Sequence, residues 1–424
     1  MNKDLEKENL KLKRAVEELS ILNELAAAIS STMGVEKITE LLVSKCTKHI
    51  RAEQGAISLV SEVDETAPLK TFVRTQDSSF KGVLYHFGMS LTGWMLKNQK
   101  PLLINELAKD ERFRGIEKES GEIRSLLAVP LKLKNKMIGV LCLFNKKDNT
   151  DFTSEDLRLL SIIAIQSTQT IENARLYEEE RKLLALEEDL RTARNIQQAL
   201  LPKSYPIIEG LEIFGLSIPA KEVGGDYYDF IQIDDSHLGI AIADVSGKGT
   251  SAALLMANLH ASLRGQAFMN PSVKGTVTKV NFMLSRFMDM GKFITLFYGV
   301  LDIKNKTFTF TNAGHNFPFL LDQDGNLKTL EKGGTILGMF DNIVYEEETV
   351  QLKPGDSLLL YTDGITEAMN EKEEMFEEER LLNLLKGNQK SSAQKLSQKI
   401  VDDVFSFQGT QPQSDDLTLV LVKT

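Results

Sequence analysis

The sequence predicts an α+β protein made of two globular domains with helical connectors, and three observations carry that expectation. The chain has 424 residues, more than one hydrophobic core usually serves. Its composition, 42% hydrophobic and 26% charged, is that of an ordinary folded protein rather than a disordered or fibrous one. Helix-period and strand-period apolar patterns also succeed one another along it, framed by two stretches with heptad spacing.

The first heptad stretch opens the chain. Leu5, Leu12, Leu19 and Ala26 repeat at one position and Asn9, Val16 and Asn23 at the other, separated by Glu and Lys. Residues 1–25 read as a short coiled coil. Leu on one seam with Asn on the other favours a parallel two-stranded pairing, because a buried Asn finds its partner only in register. A single solvated amphipathic helix is the plainer alternative. Residues 20–173 follow as a mixed unit, with a helix over 38–50, a strand over 56–60 and a helix near 91–97. Two β-rich runs, 126–133 and 137–145, form a hairpin turning at Lys134, Asn135 and Lys136. From Ser154 to about Leu201 one long helix is expected, opened by a Ser-x-x-Leu cap after Thr153 and stopped by Pro202. Its second half carries Leu176, Leu183, Leu186, Leu190, Ala193 and Leu200 on one seam, interrupted by Glu179 and Gln197. Residues 174–203 read as a rigid helical coiled-coil linker; paired in a dimer, it passes a change in crossing or register to the strand-rich unit at 204–424, and a mere spacer is the plainer alternative.

Lys and Arg number 50 against 60 Asp and Glu, a net charge of -10, which repels a phosphate backbone and argues against a nucleic-acid partner. The opening MNKDLEKENLKLKR has no apolar core for a signal peptide, and no apolar run approaches the ~18 residues of a membrane span. A cytoplasmic protein with no membrane partner is expected. Cys46 and Cys142 each lie in an apolar segment and read as buried free thiols.

Carboxylates gather at the ends of strand-like runs in the last unit. The run 238–243 ends in Asp244, the run 357–362 ends in Asp363, and Asp415 and Asp416 precede the run 417–422. Asp226 stands in Val-Gly-Gly-Asp-Tyr-Tyr-Asp, just before a strand around Ile231. Strand ends hold side chains rigidly, so such carboxylates can form an all-oxygen pocket for hard divalent ions. Each alone has a duller explanation, as a turn residue or a cap.

Two resemblances follow from the motifs. The V-P-L and I-G-V-L strands, the F-T-x-E-D helix start and the closing E-N-A-x-L-Y, between 124 and 180, resemble the C-terminal half of a GAF domain, which implies a central antiparallel sheet with helices. Its ligand or regulator is left open. The strings PAKEVGGDYYDF, IADVSGKGTSAALLM, TNAGHNFPFLL, LYTDGITEAMN and SDDLTLVLV resemble, in order, the metal-dependent protein phosphatases (PPM, type 2C) of the bacterial SpoIIE/RsbU-like branch. That resemblance implies an α-β-β-α sandwich and a serine/threonine phosphatase acting on a regulatory phosphoprotein, an anti-sigma-factor antagonist; the heptad stretches add the expectation of a parallel homodimer in which the GAF domain regulates through the linker. It also implies roles for named residues. Asp244 would contact two ions, Mn²⁺ or Mg²⁺, the backbone carbonyl of Val245 would join the second, Asp363 and Asp415 would complete the first, and Asp226 would bind directly or through water. Two such cations lower the pKa of a shared water from ~15.7 toward 7, which supplies a nucleophile for in-line attack. Zinc would more often recruit His or Cys, and 204–424 contains no cysteine. The resemblance further implies that an inactive state holds these aspartates apart.

The chain also departs from the wider family. Ser246 stands where the eukaryotic branch has a histidine two residues after its aspartate, and the phosphate-binding arginine has no evident counterpart; Lys221 and Lys248 are the nearby cations. His315, in a turn after a strand at 307–311, reads as structural, and Gly224, Gly225, Gly247 and Gly249 as residues that let the backbone turn tightly. Gly224-Gly225-Asp226 matches a diguanylate cyclase signature only until Tyr227 and Tyr228. Ser-Gly-Lys-Gly-Thr lacks the first glycine of a phosphate loop, since Ile242 stands there. A phosphoprotein-binding scaffold without activity is the remaining alternative, opposed by the retention of all four candidate aspartates.

Overall fold

A computed structural model describes residues 20, 23, 34–60, 69–75, 89–113, 123–134, 136–270, 272–289 and 291–424. The coiled coil expected over 1–25 lies outside them apart from Ser20 and Asn23. Two compact units divide the chain, Met1–Ala185 and Leu186–Thr424.

In the first unit, helix α1 (Val35–Ile50) buries Ile38, Leu42, Val43, Cys46 and Ile50, the recurrence of one helical face, and closes on Arg51 in the left-handed region. Strand β1 (Ala52–Val60) follows, then β2 (Leu69–Thr75), α2 (Met89–Asn98), β3 (Leu102–Ile104), β4 (Leu126–Leu133) and β5 (Lys136–Lys146). They pair antiparallel in the order β2-β1-β5-β4-β3. Gly55 admits α1 onto this sheet: a Cβ there would lie 2.8 Å from Thr47 and 2.9 Å from Val43. One face packs on α1 and on Leu160, Ile163 and Ile171 of the long helix α3 (Ser154–Leu200). The other face carries Met95, Phe113 and Cys142. Both cysteines are buried and free, and burial pushes the Cys46 thiol up to about 12. The cap of α3 is Thr153 rather than Ser154: Asp156 N donates to Thr153 Oγ1 (3.2 Å) while Thr153 N donates to Asp156 Oδ2 (2.8 Å).

The second unit is a stack of four layers. One sheet contains β7 (Tyr227–Asp234), β8 (His237–Val245), β9 (Ile294–Asp302), β10 (Thr307–Ala313) and β13 (Gly333–Gly334), with β14 (Glu348–Gln351) paired to β10. The other runs β12-β11-β15-β16-β6, from β6 (Glu212–Ile218), β11 (Phe319–Leu321), β12 (Leu327–Thr329), β15 (Ser357–Tyr361) and β16 (Leu417–Lys423). Alternation along each strand divides the core. Ile240, Ile242, Phe297, Leu358, Leu360 and Val420 meet between the sheets. Ala241, Ala243 and Val245 turn outward onto α4 (Thr250–Met269) and α5 (Val273–Leu284). Leu359, Tyr361 and Leu419 turn outward onto α7 (Glu377–Gly387) and α8 (Ala393–Gln408). An α-β-β-α sandwich results, as expected. Two boundaries differ: β8 runs on to Val245, so Asp244 lies within a strand, and Asp363 opens a short helix, α6 (Asp363–Thr366), rather than a turn.

Candidate metal centre

Strand alternation explains where the site forms. Ile240 and Ile242 face the opposite sheet, so Asp244 does too, at the end of the inter-sheet core. By the same count Asp226 continues the row of Tyr228 and Phe230, Thr362 that of Leu358 and Leu360, and Thr418 and Asp416 that of Val420 and Val422. The apolar core thus gives way at one edge to carboxylates and hydroxyls drawn from separate chain segments.

Asp226, 5% exposed, accepts a hydrogen bond from Thr362 Oγ1 at 2.8 Å, and Thr362 Oγ1 in turn accepts from Thr418 N at 3.0 Å. Asp416 acts as the organiser. Its Oδ1 accepts from Ala220 N (2.7 Å), and its Oδ2 accepts from Gly225 N (2.6 Å) and Asp226 N (3.4 Å). Glycines make this crowding feasible. A Cβ on Gly224 would stand 2.4 Å from Asp416 Oδ2, one on Gly225 2.8 Å from the Val245 carbonyl oxygen, and one on Gly364 1.9 Å from the Asp416 carbonyl oxygen. Gln197, near the end of α3, clamps the same loop: its Nε2 donates to Gly224 O (2.6 Å) and its Oε1 accepts from Gly224 N (3.1 Å).

The electrostatics are those of an anionic basin whose carboxylates outnumber the cation beside them, Lys248. Burial, then the charge of Asp244, holds the Asp226 carboxyl well above the usual carboxylate range. Burial, followed by Asp363, Asp415 and Asp416, raises Asp244 from 3.8 to about 7. Burial, then Glu367 and Asp415, raises Asp363 to about 6. Asp415 lies at the solvent side, its side chain 38% exposed and its Oδ2 2.9 Å from Lys248 Nζ. Asp244 therefore links the set: its charge acts on Asp226, and the charges of Asp363 and Asp415 act on it. Among the described residues, however, no three His, Cys, Asp or Glu side chains converge closely enough to enclose an ion. Like charges standing slightly apart account for both facts. The donor set fits hard divalent cations: it is all oxygen, and burial together with neighbouring carboxylates raises Asp226, Asp244 and Asp363, a cost that a cation among them relieves.

The other expected residues separate. Ser246 ties its loop to the start of β9, its N donating to Phe293 O (3.0 Å) and its Oγ accepting from Phe293 N (2.8 Å). His315 is buried; its Nδ1 lies 2.8 Å from Thr295 Oγ1, and its N donates to Asn312 Oδ1 at 2.7 Å. Burial lowers its pKa to about 4, so the imidazole is neutral and structural. Lys221 is exposed. Four contributors have no role assigned from the sequence: Asp416 and Thr362, which lie within the motifs, Gln197, which interrupts the leucine seam, and Lys292, whose Nζ lies 3.4 Å from Ser246 O.

The family of Stage II sporulation protein E (SpoIIE) matches residues 234–424, and a GAF domain matches residues 32–172. Phosphoserine phosphatase RsbU of Bacillus subtilis (strain 168) is 32% identical over 252 residues, 58% of this chain and 74% of that protein. Protein IcfG of Synechocystis sp. is 31% identical over 263 residues, 55% of this chain and 41% of that protein. Phosphoserine phosphatase RsbP of Bacillus subtilis is 28% identical over 239 residues, 55% of this chain and 57% of that protein. The chain thus spans less than two thirds of the latter two relatives. Among solved structures, the SiaA-PP2C domain of Pseudomonas aeruginosa matches with a TM-score of 0.52 at 20% identity, covering 57% of this chain and 98% of that domain, a likeness of fold.

Proposed function

This chain belongs to the SpoIIE-type branch of the PPM protein phosphatases, its phosphatase domain preceded by a GAF domain, and from that premise we propose that it hydrolyses phosphoserine or phosphothreonine on a regulatory protein. One observation supports the reading: Asp226, Asp244 and Asp363, from three chain segments at one end of the inter-sheet core, all have carboxyls raised first by burial, with the charge of Asp244 adding to the rise at Asp226 and the charges of Asp363 and Asp415 adding to that at Asp244. The ion-holding set is Asp226, Asp244, the Val245 carbonyl, Asp363 and Asp415, and its oxygen donors suit Mg²⁺ or Mn²⁺. When bound, a divalent pair supplies polarisation of the phosphoryl oxygens and lowers the pKa of water at the site.

The chain's own residues do the rest. Asp416 and Gln197 pin the Gly224–Asp226 loop, so that the Asp226 carboxyl is delivered at a fixed height beside Asp244. Thr362 orients Asp226 Oδ2 by donating to it. The raised carboxyls hold protons near neutral pH, which couples ion binding to proton release. Asp415 and Lys248 mark the solvent side, from which a phosphorylated chain segment reaches the basin.

The substrate we propose is an anti-sigma-factor antagonist, a reading supported by similarity to the two phosphoserine phosphatases RsbU and RsbP. We propose the division 1–25 coiled coil, 20–173 GAF, 174–203 linker and 204–424 phosphatase, with the GAF domain regulating through the linker in response to an unassigned ligand or regulator. Leu176, Leu183 and Leu186 of α3 are 51%, 60% and 59% exposed, which supports pairing of the linker in a parallel homodimer. A cytoplasmic location is proposed too; among the described residues no helix is long and apolar enough to cross a membrane.

Phosphate release from a phosphoserine protein, with Mn²⁺ and then with chelator, tests the activity. The expected result is turnover only with the ion. Binding of the phosphoprotein without release under either condition would favour the scaffold alternative.

A further inference from the structure

A phosphoryl dianion must approach a basin lined by Asp226, Asp244, Asp363, Asp415 and Asp416. Repulsion from these carboxylates makes a cation from the chain itself valuable, in addition to any ions bound among them. The sequence offers Lys221 and Lys248, but neither suits the task in this structure. Lys221 is exposed. Lys248 Nζ is committed to Asp415 Oδ2 at 2.9 Å and also donates to the carbonyl oxygen of Ser414.

Lys292 stands differently. It precedes β9 in a tight turn, its N donating to Asp289 O at 3.1 Å after Gly291 at φ +87. The next residue, Phe293, exchanges two hydrogen bonds with Ser246, so the base of Lys292 is fixed to the loop that leaves Asp244 and Val245. Its ammonium reaches back along that loop. Nζ lies 3.4 Å from Ser246 O, beyond the usual range of a strong N–H···O bond. Gly247 leaves the space it occupies: a Cβ there would be 2.6 Å from Lys292 Nζ, and Gly247 itself has φ +96. Among the described residues no carboxylate pairs with Lys292. An ammonium has three N–H donors, and one long contact leaves two for oxygens of a ligand.

We propose that Lys292 contacts the phosphoryl group of the substrate, supplying the charge for which the chain has no evident arginine. The assignment rests on the phosphatase reading above. A lysine acts here as a point charge rather than a two-pronged fork, so an arginine at 292 restores part of the interaction but not all of its geometry.

The test compares full-length wild type, Lys292→Gln, Lys292→Arg and, as a surface control, Lys221→Gln. Two readouts are taken with Mn²⁺: kcat/KM on a phosphoserine peptide, and calorimetric affinity for inorganic phosphate. Loss of one charged hydrogen bond predicts that Lys292→Gln lowers kcat/KM by roughly 10- to 100-fold and weakens phosphate binding about 10-fold or more. Lys292→Arg recovers most of the phosphate affinity, Lys221→Gln matches wild type, and Mn²⁺ affinity is unchanged in all four. An active Lys292→Gln protein with wild-type phosphate affinity overturns the proposal, as does a parallel loss of Mn²⁺ affinity, which would make Lys292 a brace for the loop. A wild type that releases no phosphate with Mn²⁺ defeats the phosphatase reading itself, and the lysine assignment falls with it.

Discussion

Asp415 and Asp416 are neighbours in sequence, yet the structure assigns them opposite roles, and replacing each by asparagine separates those roles. Asp416, 9% exposed, accepts two short backbone hydrogen bonds, from Ala220 N at 2.7 Å and Gly225 N at 2.6 Å, and a longer one from Asp226 N at 3.4 Å. Hydrogen bonds to a charged group contribute about 1.5–3 kcal/mol each, and an asparagine amide turns one acceptor into a donor facing an N–H. Removing the charge also relieves repulsion on Asp226 and Asp244, which offsets about 1 kcal/mol of the loss. The net expectation for Asp416→Asn is a destabilisation of about 2–5 kcal/mol, or roughly 5–20 °C in the melting of a unit this size. Asp415, with a 38% exposed side chain paired to Lys248, is a surface ion pair contributing at most about 1 kcal/mol. Thermal unfolding of both variants in chelator, where no ion contributes, measures the difference directly. Equal shifts for the two variants, or an Asp416→Asn protein melting within a degree of wild type, would refute the organising role.

Three other outcomes follow from the same geometry. Folding raises Asp244 from 3.8 to about 7 and Asp363 to about 6, so the stability linked to their protonated forms is full below about pH 4 and is lost as pH rises through 6 to 7. For Asp244 alone this corresponds to about 4 kcal/mol over the whole interval, so in chelator the melting temperature should fall from about pH 4 to just above pH 7 and level off beyond, and saturating Mn²⁺ should remove that fall. A midpoint that rises with pH in chelator contradicts the raised carboxyls. Gln197→Ala removes both bonds to Gly224 and is expected to weaken Mn²⁺ affinity about 10-fold, as loss of an outer partner typically does, checked by calorimetry; unchanged affinity would remove Gln197 from the site. His315→Gln should lower stability by about 1–3 kcal/mol through its buried hydrogen bonds while leaving the pH profile of kcat unchanged, because an imidazole titrating near 4 carries no proton traffic at neutral pH.

Much of this was legible in the residues. The apolar runs ending in Asp244 and Asp363 and preceded by Asp415 are strands whose ends do meet, because apolar alternation fixes which side chains face the opposite sheet. The hairpin of β4 and β5 and the 47-residue helix α3 also follow from pattern and from Pro202. Less legible were contacts between distant segments. Gln197 reads as a flaw in a leucine seam, and only the fold brings its amide to Gly224, 27 residues on. Asp416 and Asp415 look equivalent in sequence; continuing the alternation of Val420 and Val422 backward to Asp416 would have separated them. Lys292 lies 46 residues beyond Ser246, and strand pairing, not motif spacing, brings it there. The strand β2 does not stand out in the sequence because Lys70, Thr71 and Arg74 interrupt its apolar residues, and β3 because it is only three residues long.

The measurement that tests the central claim most directly is phosphate release from a phosphoserine protein by wild type, Asp244→Asn and Asp363→Asn at saturating Mn²⁺, each paired with calorimetric titration of the ion. The account predicts ion-dependent turnover in wild type, and in both variants a loss of turnover of roughly 100-fold or more together with weakened ion binding. Wild-type turnover in Asp244→Asn, or turnover that survives chelation, would contradict it.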